Sequence, residues 1–214
     1  MQIGQYIPLD RQFSLVPKGQ DDVEDEESLS YWGRTKYETW DELDNEYRSI
    51  ILAEAGTGKT EELRQRANHL NEQGRPSFFI RIEDIAADFY NAFEIGNEAK
   101  FQDWLKSTDE AWFFLDSVDE ARLDNPRDFE RALRRFAKGI SKSAHRAHIY
   151  ISSRPTAWRF VEDRRLMDEI LYFASFQSPH KNDEDSQSEP QSALKVYKMC
   201  PLDEKRVRLF CLAR

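Results

Sequence analysis

One junction in the chain constrains the fold more than any other feature: a short apolar run ends in a loop that carries two glycines and a lysine. The run, Ser49-Ile50-Ile51-Leu52-Ala53, has the composition of a strand buried on both faces of a sheet. After the loop, Leu63, Ala67 and Leu70 recur on one stripe of a predicted helix that Gly74 ends. A strand, a tight loop and a helix in this order favour an α/β fold.

Four further segments have the apolar, β-branched or aromatic composition of buried strands. They are residues 78–82, 111–115, 148–152 and 194–197. Residues 84–106 are predicted to be mainly helical, and Asp124-Asn125-Pro126 predicts the start of another helix. The apolar stripe of that second helix consists of Phe129, Leu133, Phe136 and Ile140. Strands that alternate with helices indicate a parallel sheet with helices packed against it.

Composition and charge exclude several classes of protein. Charged residues make up 33% of the chain, but 14 Phe, 8 Tyr and 5 Trp supply enough large apolar side chains to argue against wholesale disorder. The net charge of −9 argues against non-specific binding of nucleic acid. The chain has no apolar run of membrane-spanning length, no secretion signal at its start and only two cysteines. We therefore predict a cytoplasmic protein without a nucleic-acid or membrane partner.

The loop itself is the first motif with chemical content. Its sequence, Ala53-Glu54-Ala55-Gly56-Thr57-Gly58-Lys59-Thr60, matches the phosphate-binding pattern G-x-x-x-x-G-K-[ST] except at the first position, where alanine replaces glycine. Backbone N–H groups of such a loop form an anion site with the N-terminus of the following helix. We predict that the loop holds nucleotide phosphates, that Lys59 reaches the β- and γ-phosphates and that the Thr60 hydroxyl binds Mg²⁺. The alternative is a glycine-rich turn with an exposed lysine.

Acidic residues directly follow the predicted strand at 111–115, in the sequence Asp116-Ser117-Val118-Asp119-Glu120. An acid at the end of a buried strand is costly unless a cation compensates it, and nucleotide-bound Mg²⁺ would do so. Asp116 is therefore the second predicted metal ligand. Glu120 is the first candidate to orient or activate the attacking water, and Asp119 is the second. The alternative is that all three acids cap the following loop or helix.

A third motif, Ser152-Ser153-Arg154-Pro155, follows the predicted strand at 148–152. Ligands of open α/β sheets bind at the carboxyl ends of the strands, and this turn places a cation there. We predict a catalytic role for Arg154, which either senses the γ-phosphate or pairs with an acid of the second motif. Taken by itself, the motif is also compatible with a plain surface arginine.

Together these three motifs resemble the NACHT family within the STAND class of P-loop NTPases. The matching pieces are residues 54–60, 115–120 and 152–155, and the acidic block is the most specific of them. The resemblance covers residues 48–211. It implies a doubly wound, parallel, five-stranded sheet flanked by helices, in which the strand before Arg154 lies between those before Lys59 and Asp116.

The resemblance also implies a function. The chain is expected to bind ATP or GTP, with ATP favoured, and to hydrolyse it slowly with Mg²⁺. Nucleotide state would control self-association and signalling between an unidentified trigger and an unidentified effector; bacterial relatives of this kind act in phage defence. Two other functions stay open: a remodelling motor similar to AAA+ ATPases, and an interaction module that nucleotide stabilises without turnover.

The predicted organisation has three parts. Residues 1–47 form a lead-in with an acidic loop and an aromatic segment, and residues 48–202 form the NTPase core with a mobile loop at 177–192. Residues 203–214 begin a helical domain, and the resemblance implies that this domain and a winged helix continue beyond a truncated end. The aromatic residues of the lead-in either stack on the nucleotide base or pack against the sheet. They are Tyr31, Trp32, Tyr37 and Trp40.

Overall fold

The computed structural model describes residues 9–17, 36–122, 125, 127–171, 194–204 and 206–208. Within these residues, eight strands form one mixed sheet in the order β2-β1-β8-β3-β7-β6-β4-β5. The strands are β1 (Phe13–Leu15), β2 (Tyr37–Glu38), β3 (Arg48–Leu52), β4 (Ser77–Arg81), β5 (Phe93–Ile95), β6 (Ala111–Asp116), β7 (Ala147–Ser153) and β8 (Leu194–Met199). All five strands predicted from composition are confirmed, with ends shifted by two residues at most.

The sheet is larger than the sequence predicts. Its central strands β8, β3, β7, β6 and β4 are parallel, and β7 lies between β3 and β6 as the resemblance implies. However, β1 and β2 extend one side antiparallel, and β5 pairs antiparallel with β4 on the other. The prediction of a purely parallel, five-stranded sheet is therefore wrong, because short return strands add to both flanks. The α/β class is confirmed.

Seven α-helices connect the described strands. They are α1 (Trp40–Leu43), α2 (Lys59–Glu72), α3 (Ile82–Ile85), α4 (Glu98–Lys106), α5 (Val118–Ala121), α6 (Asp128–Ile140) and α7 (Phe160–Ile170). The buried stripes predicted for α2 and α6 are confirmed. The prediction of a mainly helical stretch at 84–106 is wrong in its middle, where β5 forms. Gly96 has a φ of 86°, which breaks any helix there, and Asn97 then caps α4 by accepting a hydrogen bond from the Lys100 N–H.

Helices cover both faces of the sheet, because successive side chains of each strand point to opposite sides. Ile50 and Leu52 of β3 face one core, which also contains the apolar side chains of α3 to α7. Ile51 faces the other core, together with buried side chains of α1 and α2. The strand that precedes the glycine loop is therefore buried on both faces, as its composition predicts.

Aromatic and cationic side chains cover the amino ends of the strands. The three motifs lie at the opposite, carboxyl ends. His148 at the start of β7 is stacked between Tyr47 and Trp112, with ring centroids 4.3 and 4.7 Å away. Burial lowers the pKa of His148, although a contact with the Glu46 carbonyl opposes the shift. Arg146, 8% exposed, donates to the Trp104 carbonyl at 2.8 Å.

Some predictions concern residues outside the described ranges. These are the mobile loop at 177–192, the aromatic Tyr31 and Trp32, and the helix-starting Asp124 and Pro126. Within the described part of the chain, no helix combines the length and apolar character that crossing a membrane requires.

Candidate functional site

The carboxyl ends of three neighbouring strands bring the three sequence motifs to one edge of the sheet. In the parallel register, Leu52 of β3 lies opposite Ser153 of β7, and Leu115 of β6 lies opposite Ile151. The glycine loop (residues 53–60) directly follows β3, and the acidic block (residues 116–120) begins at the last residue of β6. The arginine turn (residues 152–155) begins in the last two residues of β7. Their side chains can therefore meet above the edge at which α/β sheets bind ligands.

The glycine loop owes its shape to two residues with left-handed backbone. Gly56 has a φ of 76° and Gly58 a φ of 83°, a region that side chains with a Cβ rarely adopt. Gly58 is the N-cap residue of α2, so the loop leads straight into the positive end of the helix. Across the loop, the Thr57 hydroxyl donates to the Glu54 carbonyl at 2.8 Å. The sequence adopts this conformation because glycine stands at both turning points.

Two cations of the site converge on one carboxylate. The Lys59 Nζ lies 3.5 Å from Asp119 Oδ1, and the Arg154 Nε lies 2.7 Å from Asp119 Oδ2. Lys59 is only 8% exposed, so the alternative of an exposed lysine is wrong. Arg154 thus pairs with an acid of the second motif, in agreement with one of the two roles that the sequence predicts for it. This cluster joins all three motifs in a single set of contacts.

Asp116 is buried at the end of β6, where it is 2% exposed. It accepts a hydrogen bond from the Ser152 hydroxyl, which in turn accepts one from the Ser117 N–H at 2.9 Å. Ser117 has a φ of 69°, so the chain turns sharply directly after the acid. The serine hydroxyl thus compensates part of the cost of burying Asp116.

Thr60 occupies the second position of α2 and is partly buried. A hydroxyl and a carboxylate are oxygen ligands of the kind that Mg²⁺ prefers. Among the described residues, no group of three or more His, Cys, Asp or Glu is arranged to hold a metal. A Mg²⁺ ion held by Thr60 and Asp116 would therefore need phosphate oxygens or water for its remaining positions, as is usual for this ion.

Glu120, the residue after Asp119, contacts a different arginine from Asp119. Its Oε2 is 3.9 Å from the Nη1 of Arg81, the last residue of β4, and its side chain is 39% exposed. Arg81 also contacts Glu83 and Glu94. Partial burial and the nearby charge of Glu120 raise the pKa of Glu83. The two candidates for the catalytic acid therefore have different neighbours: Asp119 lies between two cations, whereas Glu120 shares one arginine with other acids.

Several residues that contact the motifs carry no sequence signal of a role in the site. The Arg11 Nη2 donates to the Thr57 carbonyl at 2.6 Å, and Arg81 approaches Glu120. Ser152 stands in a motif that was recognised, but only the fold shows that it supports Asp116. No sequence signal marks Arg11 or Arg81, because each reaches the site from a distant segment.

The described aromatic residues of the lead-in differ in their surroundings. Trp40 is 8% exposed, packs edge-on against Phe13 and donates from Nε1 to Glu62 at 2.8 Å. For Trp40 the interpretation as a packing residue is therefore confirmed. Tyr37 is 53% exposed on the edge strand β2.

No model of a protein family matches the sequence, and no curated protein matches it.

Proposed function

We propose that the chain binds a nucleoside triphosphate with Mg²⁺ at the carboxyl ends of β3, β6 and β7. The observation that supports this most directly is the convergence of Lys59 and Arg154 on the single carboxylate of Asp119. Two cations that share one anion, beside a glycine loop at a helix N-terminus, form a site with spare affinity for negative charge. The resemblance to NACHT modules of the STAND class supports the same interpretation.

Each motif has a defined part in this proposal. The backbone of residues 53–60 and the Lys59 ammonium bind the phosphates, and Arg154 contacts the terminal phosphate. Thr60 and Asp116 would hold Mg²⁺, and the bound ion would supply positive charge to the phosphates. Glu120 orients or activates the attacking water, and Asp119 is the alternative for this role.

The proposed reaction is slow hydrolysis that serves as a switch. ATP is favoured over GTP, and the cytoplasm is the proposed location. Nucleotide state would control self-association and signalling in a longer assembly, as the resemblance implies. A remodelling motor would instead require rapid turnover and an arginine donated to a neighbouring subunit. A binding module would show no turnover at all.

The decisive experiment is a titration of the chain with a fluorescent ATP analogue, with and without Mg²⁺ and with GTP as competitor. Lys59→Ala removes the fixed counter-charge of the phosphates and should weaken binding about a hundredfold. Lys138→Ala, an exposed lysine on α6, is the matched control and should change affinity less than twofold. Saturable binding that survives Lys59→Ala, or no binding by the folded chain, would contradict the proposal.

Hydrolysis is tested separately with Glu120→Gln. This variant should bind nucleotide normally and lose turnover, because the amide cannot accept a proton from water. Unchanged turnover in Glu120→Gln combined with loss in Asp119→Asn would assign the role to Asp119. Absence of turnover in the wild-type chain that binds nucleotide would favour the binding module.

A further inference from the structure

A buried arginine of the N-terminal segment, Arg11, packs against the glycine loop. Arg11 precedes β1, is 6% exposed and donates from Nη2 to the Thr57 carbonyl at 2.6 Å. A Cβ built on Gly58 would lie 3.4 Å from the same Nη2, so the guanidinium packs closely along the loop backbone. Charge-assisted hydrogen bonds of this kind are stronger than those between neutral groups.

This contact fixes the orientation of one peptide group. The described chain has no cis peptide bonds, and in a trans peptide the C=O and the following N–H point in opposite directions. A donor that holds the Thr57 carbonyl therefore directs the Gly58 N–H away from Arg11. Gly58 is the N-cap of α2, and its N–H belongs to the loop backbone that is proposed to bind phosphate.

Arg11 is itself held in place by buried partners. Its Nε lies 3.6 Å from Glu62 Oε2, and both side chains are 6% exposed. Glu62 accepts a hydrogen bond from Trp40 Nε1 at 2.8 Å. Contacts among Arg11, Trp40 of α1 and Glu62 of α2 thus connect the N-terminal part of the chain to the loop. Because Glu62 neutralises Arg11, the guanidinium can support the loop without being an uncompensated buried charge.

The surroundings of Arg11 indicate that it does more than fill space. Arg11, Trp40 and Glu62 all line one cavity of about 440 Å³. Burying the Arg11 guanidinium costs free energy unless polar contacts compensate it, whereas an apolar side chain could fill the same space without that cost. Arg11 donates a hydrogen bond to the loop carbonyl, and its charge forms an ion pair with Glu62, whose Oε2 lies 3.6 Å from the Arg11 Nε.

We propose that Arg11 is a positioning residue of the phosphate loop: it sets the Thr57–Gly58 peptide so that the loop can bind a polyphosphate. The proposal rests on the proposed function for its ligand. The orientation that Arg11 gives to the Thr57–Gly58 peptide can also be tested in the protein without nucleotide.

The test compares Arg11→Met, which keeps much of the side-chain volume but removes the donors, with Arg11→Lys, which keeps a charge and a donor. Hydrogen exchange of the unliganded protein is measured at residues 54–60, and affinity is measured with inorganic tripolyphosphate and with ATP. Arg11→Met should speed exchange in the loop and raise Kd for both anions roughly tenfold. Arg11→Lys should recover part of both effects.

Arg146→Met is the matched control, because Arg146 is equally buried and also donates to backbone carbonyls, but at the opposite edge of the sheet. It should leave loop exchange and Kd within twofold of the wild type. Unchanged loop exchange in Arg11→Met, or an increase spread over the whole sheet, would overturn the proposal. Faster loop exchange in Arg11→Met with an unchanged Kd would also overturn the proposal.

The two proposals fail in different ways. If the wild type binds tripolyphosphate in a manner that depends on Lys59, but Arg11→Met binds equally well, the positioning role is wrong and the proposed function stands. If the wild type binds neither anion, the proposed function is wrong. In that second case no Kd can be compared, and faster exchange confined to residues 54–60 in Arg11→Met would still show that Arg11 holds the loop.

Discussion

Removing the charge of Asp119 should strengthen the binding of phosphate. In the structure, this carboxylate is the shared counter-ion of Lys59 and Arg154. A polyphosphate that binds the two cations must therefore displace Asp119 or lie close to its negative charge. Asp119→Asn keeps the size of the side chain and removes both obstacles.

The size of the effect follows from the distances and the exposure of the groups. At 3.5 Å the Lys59–Asp119 attraction is about 5 kcal/mol with an effective dielectric constant near 20, before the cost of burial is subtracted. The side chains are 9% and 12% exposed, and desolvation offsets most of this attraction, leaving about 1–2 kcal/mol. Arg154 is 47% exposed, so solvent screening reduces its contribution to a few tenths of a kcal/mol. The sum corresponds to roughly a tenfold gain in affinity.

The assay is a titration with ATP or tripolyphosphate in the absence of Mg²⁺, so that only the contacts between the phosphates and the protein determine the affinity. Asp119→Asn should lower Kd about tenfold. Glu130→Gln, which removes one exposed charge on α6, should change it less than twofold. An affinity of Asp119→Asn equal to or below that of the wild type would refute the reasoning.

Two further predictions concern stability. His148 has a lowered pKa in the folded state, so the unfolded chain gains its proton first as pH falls below about 6.5, and stability declines. In urea titrations from pH 8 to 5, His148→Phe should flatten this decline by up to about 1.4 kcal/mol per pH unit; an unchanged slope would contradict it. Gly96→Ala should cost about 3 kcal/mol in urea unfolding, because its Cβ would lie 2.4 Å from Phe78 Cδ1 at a φ of 86°. Gly74→Ala, with a φ of 76° but no atom within 4 Å, should cost about 1 kcal/mol, and equal losses would refute the steric argument.

The central strands and the glycine loop could be predicted because their signals are local. Strand β3 is buried throughout and contains the apolar run Ile50–Leu52, and Gly56 and Gly58 stand where the backbone turns left-handed. Thr39 and Glu42 stand three residues apart, which is the spacing of a capping box, and the box is present at the start of α1. In each case, neighbouring residues determine the structure, so one segment is enough to predict it.

The flanking strands and the supporting residues could not be predicted in this way. Strand β5 has three residues, too few for a recognisable period, and it forms because β4 offers an open edge beside it. Arg11 contacts Thr57, and Ser152 contacts Asp116, across separations that only the tertiary fold closes. Sequence patterns therefore predict the residues of the three motifs, but not the residues that position them, such as Arg11 and Ser152.

Strand β3, which leads into the glycine loop, has both of its partners far along the chain. Ile50 lies opposite Ile151 of β7 on one side and Val196 of β8 on the other. At about 5–20 residues per second, a ribosome needs roughly 5–20 s after β3 to deliver β7, and longer to deliver β8. During that time β3 is an apolar segment with two open edges, which is the kind of segment that chaperones bind and that aggregates. A nascent chain can therefore pair both edges of the strand that leads into the glycine loop only after β8 has left the ribosome.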